Sequence, residues 1–246
     1  MDAEFGFTRG DAILVSGAAS GIGRATALIA ARMGLSVSAW DLDPAGLQET
    51  VSLIETAGGT ARPWVADVSD DDAVRAGLAD ATANLGHPLY LHNNAGPASS
   101  SPIDFDRALA ISLGSVRRMT EAWSAGLGRP GAAMVVTTSV AGNLIGTESD
   151  WYSTAKAGLM GYVRHLASQR ATTFRSNGVA PGMTDTPRLA GFRDSDTGRR
   201  VLTRIPLGRM AQPDDIAYAV LFLLSPLAAY INGVFLPVDG GWTVTQ

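Results

Sequence analysis

The stretch Ala12-Ile13-Leu14-Val15-Ser16-Gly17-Ala18-Ala19-Ser20-Gly21-Ile22-Gly23 decides the fold. Its apolar start reads as a buried strand. Its glycines read as a tight turn, and Arg24 to Met33, rich in helix formers and closed by Gly34, reads as a helix. The order is strand, glycine turn, helix. Glycine reaches backbone angles that other residues resist, and it lets the main chain come close to a phosphate. The free N–H groups and positive dipole end of the following helix suit a pyrophosphate. The spacing is G-x-x-x-G-x-G, not the generic G-x-G-x-x-G fingerprint. By itself the loop fits a ligand-free strand-to-helix turn as well as a bound one.

A second strand, Leu35-Ser36-Val37-Ser38-Ala39-Trp40, ends at Asp41, followed by Leu42. A parallel α/β fold places an acid at this position on the adenosine ribose hydroxyls; the alternative is a surface aspartate in a turn with Asp43-Pro44. The carboxylate repels a 2′-phosphate, and no Lys or Arg lies between Gly17 and Gly21 to attract one. Both features favour NAD over NADP.

Strand and helix signals alternate along the rest of the chain. Candidate strands are 12–16, 35–40, 61–66, 89–92, 132–138, 174–180 and 233–238. Candidate helices are 22–33, 44–57, 71–85, 104–127, 151–170 and 213–224. The pattern predicts an α/β, Rossmann-like, doubly wound parallel sheet of about seven strands with helices on both faces. One domain over 1–246 is expected, since the length and an apolar share of 46% suffice for one large core. Residues 184–204 form an irregular stretch and are expected to act as a substrate lid. Ligands in such a sheet bind at the carboxyl ends of the strands. The glycine loop, Asp41, Asp67, Asn93, Ser139 and Pro181-Gly182 all fall there.

Tyr152 and Lys156, in Tyr152-Ser153-Thr154-Ala155-Lys156, lie one helical turn apart on one face. A nearby ammonium favours phenolate and is expected to lower the tyrosine pKa from about 10 toward the range useful for proton transfer. Taken alone, the pair also fits a solvated helix face. Ser139 upstream and the glycine loop add weight to the chemical reading.

Taken together, these motifs resemble those of the short-chain dehydrogenase/reductase family, in its compact single-domain type, nearly from end to end. The glycine loop is similar to T-G-x-x-x-G-x-G, with Ser16 for threonine. Asp67-Val68 resembles the adenine-contacting pair. Asn93-Asn94-Ala95-Gly96 matches N-N-A-G, and Ser139 with Tyr152 and Lys156 matches the catalytic serine and Y-x-x-x-K. Asn177 to Gly182, then Thr184 and Thr186, resembles the stretch beside the nicotinamide. Pro206-Leu207-Gly208-Arg209 and Val238-Asp239-Gly240-Gly241 resemble P-L-G-R and V-D-G-G. The resemblance implies cofactor contacts at Gly17, Ser20, Gly21, Ile22, Gly23, Asp41, Leu42, Asp67, Val68, Asn94, Ala95, Gly96, Tyr152, Lys156, Pro181, Gly182, Thr184 and Thr186. One position departs from it. Where the family has an asparagine, in a context like I-N-L-x-G, this chain reads Ile111-Ser112-Leu113-Gly114. Ser112 has a shorter side chain with one donor, so a proton relay through it is in question.

The chemistry implied is reversible hydride transfer between NAD(H) and a secondary alcohol or ketone, with Tyr152 as acid/base, Ser139 on the substrate oxygen and Lys156 on tyrosinate and ribose. Pro97, Ala98, Asn143, Leu144, Ile145, Trp151, Met183, Leu189 and Phe192 form the expected substrate pocket. Their apolar character favours a cyclic or apolar substrate over a strongly anionic one. Two alternatives stand beside this: an NADPH-dependent ketone or 3-oxoacyl reductase, and a non-catalytic dinucleotide-sensing module.

A net charge of −4 leaves no electrostatic footprint for nucleic acid. The absence of cysteine excludes disulfides and thiolate metal sites. His87, His92 and His165 lack metal-ligand spacing and read as structural, so no metal is expected. No membrane span or signal peptide is evident, and a cytoplasmic location is expected. The family resemblance implies a homotetramer or homodimer, and Ala157, Gly158 and Gly161 offer a close helix approach, across subunits or within one.

Overall fold

The computed structural model describes residues 5–142, 145 and 147–245. Its strands are β1 (Ala12–Ser16), β2 (Ser36–Asp41), β3 (Thr60–Val65), β4 (Tyr90–Asn93), β5 (Ala133–Thr137), β6 (Arg175–Pro181) and β7 (Phe235–Val238). The helices are α1 (Gly21–Arg32), α2 (Pro44–Thr56), α3 (Asp71–Leu85), α4 (Phe105–Ser112), α5 (Gly114–Ala125), α6 (Asp150–Gln169), α7 (Asp196–Leu202) and α8 (Pro213–Leu224).

All the strands pair in parallel, in the order β3-β2-β1-β4-β5-β6-β7. This is the Rossmann-like doubly wound sheet the sequence predicts. β1, β4 and β5 are buried along their whole length, which explains their unbroken apolar runs. β3 tolerates Pro63 because it is an edge strand. Helix α1 packs against both α2 and α8, α3 packs against α5, and α4 against α6. Strand order reverses between β1 and β4, whose registers place Val15 beside His92. A crevice opens at such a reversal, at the carboxyl ends of the strands.

Local chemistry sets the helix starts. Asp43 caps α2 through Ala45 N, with Pro44 in the first turn. Asp70 caps α3 through Asp72 N and Ala73 N. Gln212 and Asp215 form a reciprocal capping box on α8, with Pro213 next.

Two elements differ from the sequence expectation. The single helix expected over 104–127 breaks at Leu113, between Ser112 and Gly114, giving α4 and α5. Gly114 weakens helix there. Leu113 packs toward Gly158 of α6, where an added Cβ would come within 3.2 Å of its Cδ2. Gly158 thus serves packing inside the chain, whereas Gly161 faces open space. The stretch 184–204, read as irregular, contains 3-10 turns at Pro187–Leu189 and Phe192–Asp194 and then α7, capped by Ser195. Among the described residues, no helix is long and apolar enough to cross a membrane, and no cluster of His, Asp and Glu is placed to hold a metal.

His92 in β4 is fully buried. Its Nε2 lies 2.8 Å from Thr137 Oγ1 of β5, and burial pushes its pKa down to about 3. The unfolded chain takes up this proton near pH 6.5, while the folded chain stays neutral. The contribution is therefore fully present above pH 6.5 and is lost as pH falls from there toward 3. At ~1.4 kcal/mol per unit, this amounts to about 3 kcal/mol between pH 7 and 4. Denaturant unfolding of His92→Asn should show a shallower fall in stability over that window than the parent chain. Equal slopes would refute the buried neutral imidazole.

Candidate active site

The crevice is sewn together by Ser16. Its Oγ accepts from Asn94 N at 3.0 Å and Ala95 N at 3.1 Å, and Asn94 Nδ2 donates to Ser16 O at 3.2 Å. These bonds hold the glycine loop against the Asn93-Asn94-Ala95-Gly96 turn. Gly17 has φ +72°, in the left-handed region that favours glycine. At Gly23 a Cβ would lie 1.9 Å from Gly17 O, so the loop closes only around a bare backbone. Ser20 is the α1 N-cap but makes no side-chain cap bond, and the first turn carries no acid. The first-turn N–H groups are therefore left for an anion. These features fit the pyrophosphate of a dinucleotide. Ile22 is half-buried against the core beneath the loop.

At the end of β2, Asp41 Oδ2 accepts from Ala19 N at 3.0 Å and Oδ1 from Leu42 N at 2.7 Å. The carboxylate is thus fixed at the rim of the glycine loop, beside the exposed Leu42. Arg24 is turned away from any phosphate role: its guanidinium binds Ala19 O, Gly46 O and Glu49. Asp67 is exposed and accepts from Ser69 N at 2.8 Å, while Val68 packs on the core.

On the other side of the crevice, α6 presents Tyr152 and Lys156, and Ser139 follows β5. Lys156 Nζ donates to Thr137 O at 2.8 Å and stands 5.5 Å from the centroid of the Tyr152 ring. Burial, with a contribution from the charge of Arg188, lowers its pKa to about 7. The phenol departs from the sequence expectation. Burial raises the Tyr152 pKa, outweighing the Ser139 hydrogen bond and the charge of Arg188, which pull it down. The ammonium is aimed at a backbone carbonyl, and its own charge is weakened by burial, so it does not offset the desolvation of the ring. Ser139 Oγ also accepts from Ala141 N at 3.1 Å, which orients it.

Ser112, at the α4 break, is 7% exposed, and its hydroxyl has no partner among the described residues. It lines a cavity of about 10 Å³ with Asn93, Thr137, Trp151, Tyr152 and Lys156, about the room one water needs. Trp151, expected in the substrate pocket, is largely buried, lines this same cavity and meets Tyr152 edge-on at 5.6 Å between centroids.

Pro181 and Gly182 close β6, with Gly182 N bonded to Val238 O at 3.0 Å. Thr184 is buried and bridges to Ala211. Thr186 lies against the glycine loop: a Cβ on Gly21 would meet its Cγ2 at 3.1 Å. Gly96 and Pro97 line the small cavity. Ile145 and Met183 pack on a satellite apolar cluster, and Leu189 and Phe192 are half-buried in the segment 184–204. Asn143 and Leu144 lie outside the described residues.

Three neighbours escaped the sequence reading. Thr137 anchors Lys156 through its backbone, and His92 braces Thr137; neither contact leaves a mark in sequence. Arg188 reaches across to Gly96 O at 2.6 Å. It sits just after Thr186, in a stretch whose composition signals only a loop.

The sheet order and the loop define a dinucleotide-binding oxidoreductase. A family profile described as enoyl-(acyl carrier protein) reductase matches residues 17–243. An uncharacterised short-chain type dehydrogenase/reductase of Sinorhizobium fredii is 40% identical, over 95% of this chain and 44% of that protein. Cis-4-hydroxycyclohexanecarboxylate dehydrogenase of Sinomonas cyclohexanicum is 36% identical over 94% of this chain and 95% of that protein. The crystal structure of levodione reductase superposes with a TM-score of 0.89 at 30% identity, covering 98% of this chain and all of that one. The chain belongs to the short-chain dehydrogenase/reductase family, whose members are nicotinamide-dinucleotide oxidoreductases of alcohols and ketones.

Gly23→Ala tests the loop. The methyl cannot be placed without moving Gly17, so NAD⁺ affinity measured by protein fluorescence should fall more than about tenfold, a cost above ~1.4 kcal/mol. Unchanged affinity would show that the dinucleotide does not bind over this turn.

Proposed function

We propose that this protein is an NAD-dependent dehydrogenase/reductase of secondary alcohols and ketones on cyclic carbon skeletons. The observation that carries the reading is the convergence of Ser139, Tyr152 and Lys156 on the crevice bordered by the glycine loop and Asp41. NAD supplies the hydride acceptor; alignment and proton handling fall to the chain. In oxidation, Tyr152 removes the alcohol proton while Ser139 holds the same oxygen. In reduction, the phenol returns that proton. Lys156, anchored on Thr137, is placed to hold the nicotinamide ribose and to meet the charge of tyrosinate. Ser112 faces a water-sized space beside Lys156, where its hydroxyl can bind a relay water in place of the family's asparagine.

Support for NAD comes from Asp41, fixed by two backbone N–H bonds, and from Arg24, held in an ion pair with Glu49. Neither side chain welcomes a 2′-phosphate. Support for a cyclic substrate comes from the half-buried apolar side chains Leu189, Phe192 and Met183 near the crevice. It comes also from a relative named for a hydroxycyclohexane acid. The segment 184–204 serves as the lid in this reading.

Tyr152→Phe should lower turnover of cyclohexanol or cyclohexanone by about 10²–10⁴-fold while NAD⁺ still binds. Because burial holds the phenol protonated, alcohol oxidation by the parent enzyme should rise with pH on the alkaline side, and ketone reduction should fall. Retention of near-normal turnover by the phenylalanine variant would end the acid/base assignment. For the cofactor, kcat/KM with NAD⁺ should exceed that with NADP⁺ at least tenfold, and Asp41→Ala should narrow the ratio. Equal use of both cofactors by the parent enzyme would overturn the preference.

A further inference from the structure

Among the described residues, Arg188 is the cation whose charge bears on both Tyr152 and Lys156. It occupies the 3-10 turn Pro187–Leu189, two residues beyond Thr186. Its Nη2 spans the crevice to Gly96 O at 2.6 Å, and Gly96 borders the cavity lined by Tyr152 and Lys156. The guanidinium therefore bridges the lid segment and the Asn93-Asn94-Ala95-Gly96 turn.

Its environment differs from that of Arg199 and Arg200 in this segment, whereas Arg193, like Arg188, has no ion pair among the described residues. Arg199 pairs with Asp196, and Arg200 meets Thr197. Arg188 is exposed, and among the described residues no carboxylate pairs with it. A guanidinium carries five N–H donors in a planar fork. One of them satisfies Gly96; the rest have no recorded partner among the described residues. Leu189 follows Arg188 in the chain, and Pro97 follows Gly96 and lines the cavity beside Tyr152 and Lys156; both are apolar. A guanidinium fork with free donors beside these side chains matches an apolar ring that bears one planar anion.

We propose that Arg188 is a specificity-determining residue that pairs with a carboxylate on the ring of a cyclic secondary alcohol or ketone. This rests on the dehydrogenase reading above and narrows its substrate class to hydroxy and oxo acids. The carboxylate takes no part in the redox step. The carbinol C–H hydride goes to the nicotinamide, the hydroxyl proton goes to Tyr152, and the ring leaves as the oxo acid with its charge unchanged. The single bond to Gly96 O can be exchanged for a bidentate pair with a planar carboxylate, whose geometry the guanidinium fork matches. Substrate capture and lid placement are thereby coupled through one side chain.

The test compares 3- and 4-hydroxycyclohexanecarboxylates with their methyl esters in steady-state oxidation, using the parent enzyme, Arg188→Leu and Arg188→Lys. The ester keeps the ring and the carbinol and removes only the anion. The parent enzyme should favour acid over ester in kcat/KM. That ratio should fall about 10–100-fold in Arg188→Leu, the range of a hydrogen bond to a charged group. It should fall partway in Arg188→Lys, which keeps the charge without the fork. The NAD⁺ dissociation constant is measured alongside. If the ratio stays within about twofold of the parent value in Arg188→Leu, Arg188 does not read the substrate anion. If NAD⁺ affinity drops in step with activity on both substrates, the guanidinium binds the cofactor's phosphate and the proposal falls. Turnover of esters and cyclohexanol without acid preference would overturn this inference and leave the dehydrogenase reading intact. No turnover of any member with either cofactor would overturn both.

Discussion

The Ser16 hydroxyl, accepting two backbone N–H groups from the start of the next strand's loop, is the joint on which the site depends. β1 and β4 diverge at the point where strand order reverses, and their loops would part without a tie. Ser16 brings the glycine turn and the Asn94-Ala95 backbone to one rim. From that rim the α1 N-terminus, Gly96 and Pro97 all face the same crevice. A small hydroxyl suits this place because it lies within a buried strand end, where a longer polar side chain would leave atoms unsatisfied.

The opposite wall depends on burial. Thr137 holds Lys156 through a main-chain oxygen, and a neutral, desolvated His92 supports the Thr137 side chain from β4. Burial raises the phenol of Tyr152 and lowers the amine of Lys156, so the two protonation equilibria move apart. Neutral pH then lies near the lysine's midpoint and below that of the tyrosine. This poise favours a protonated phenol before a dinucleotide enters, and it makes the local electrostatics sensitive to each added charge. Arg188 is already one such charge, and the pyridinium of an oxidised nicotinamide would be another.

Ser112 shows how a single departure reshapes a site without breaking it. The helix breaks directly after it, Leu113 settles toward Gly158, and the hydroxyl is left facing a space about the size of a water. A side chain with the volume of asparagine would occupy that space. A serine leaves it open, so solvent can take the place of the missing amide.

Much of this protein was legible in the chain itself. Continuous apolar runs marked the strands because a parallel sheet buries both of its faces. Helix-forming stretches alternated with them, and the observed helix starts rest on local caps such as Asp43 and Asp70. The glycine spacing marked the loop because Gly17 and Gly23 each answer a steric demand within a few residues. The pair Tyr152 and Lys156 was placed on one face by helical period alone. Tertiary structure decided what depends on distant partners: the break at Leu113, which packs toward Gly158 of α6, and the small helix α7 inside a stretch that reads as loop. It also decided that Lys156 points at Thr137 and that desolvation, not the neighbouring amine, governs the phenol. Arg188 became visible only when the fold carried it across the crevice to Gly96. Periodicity, capping and glycine geometry are short-range, so sequence contains them; desolvation and long-range pairing are properties of the packed chain.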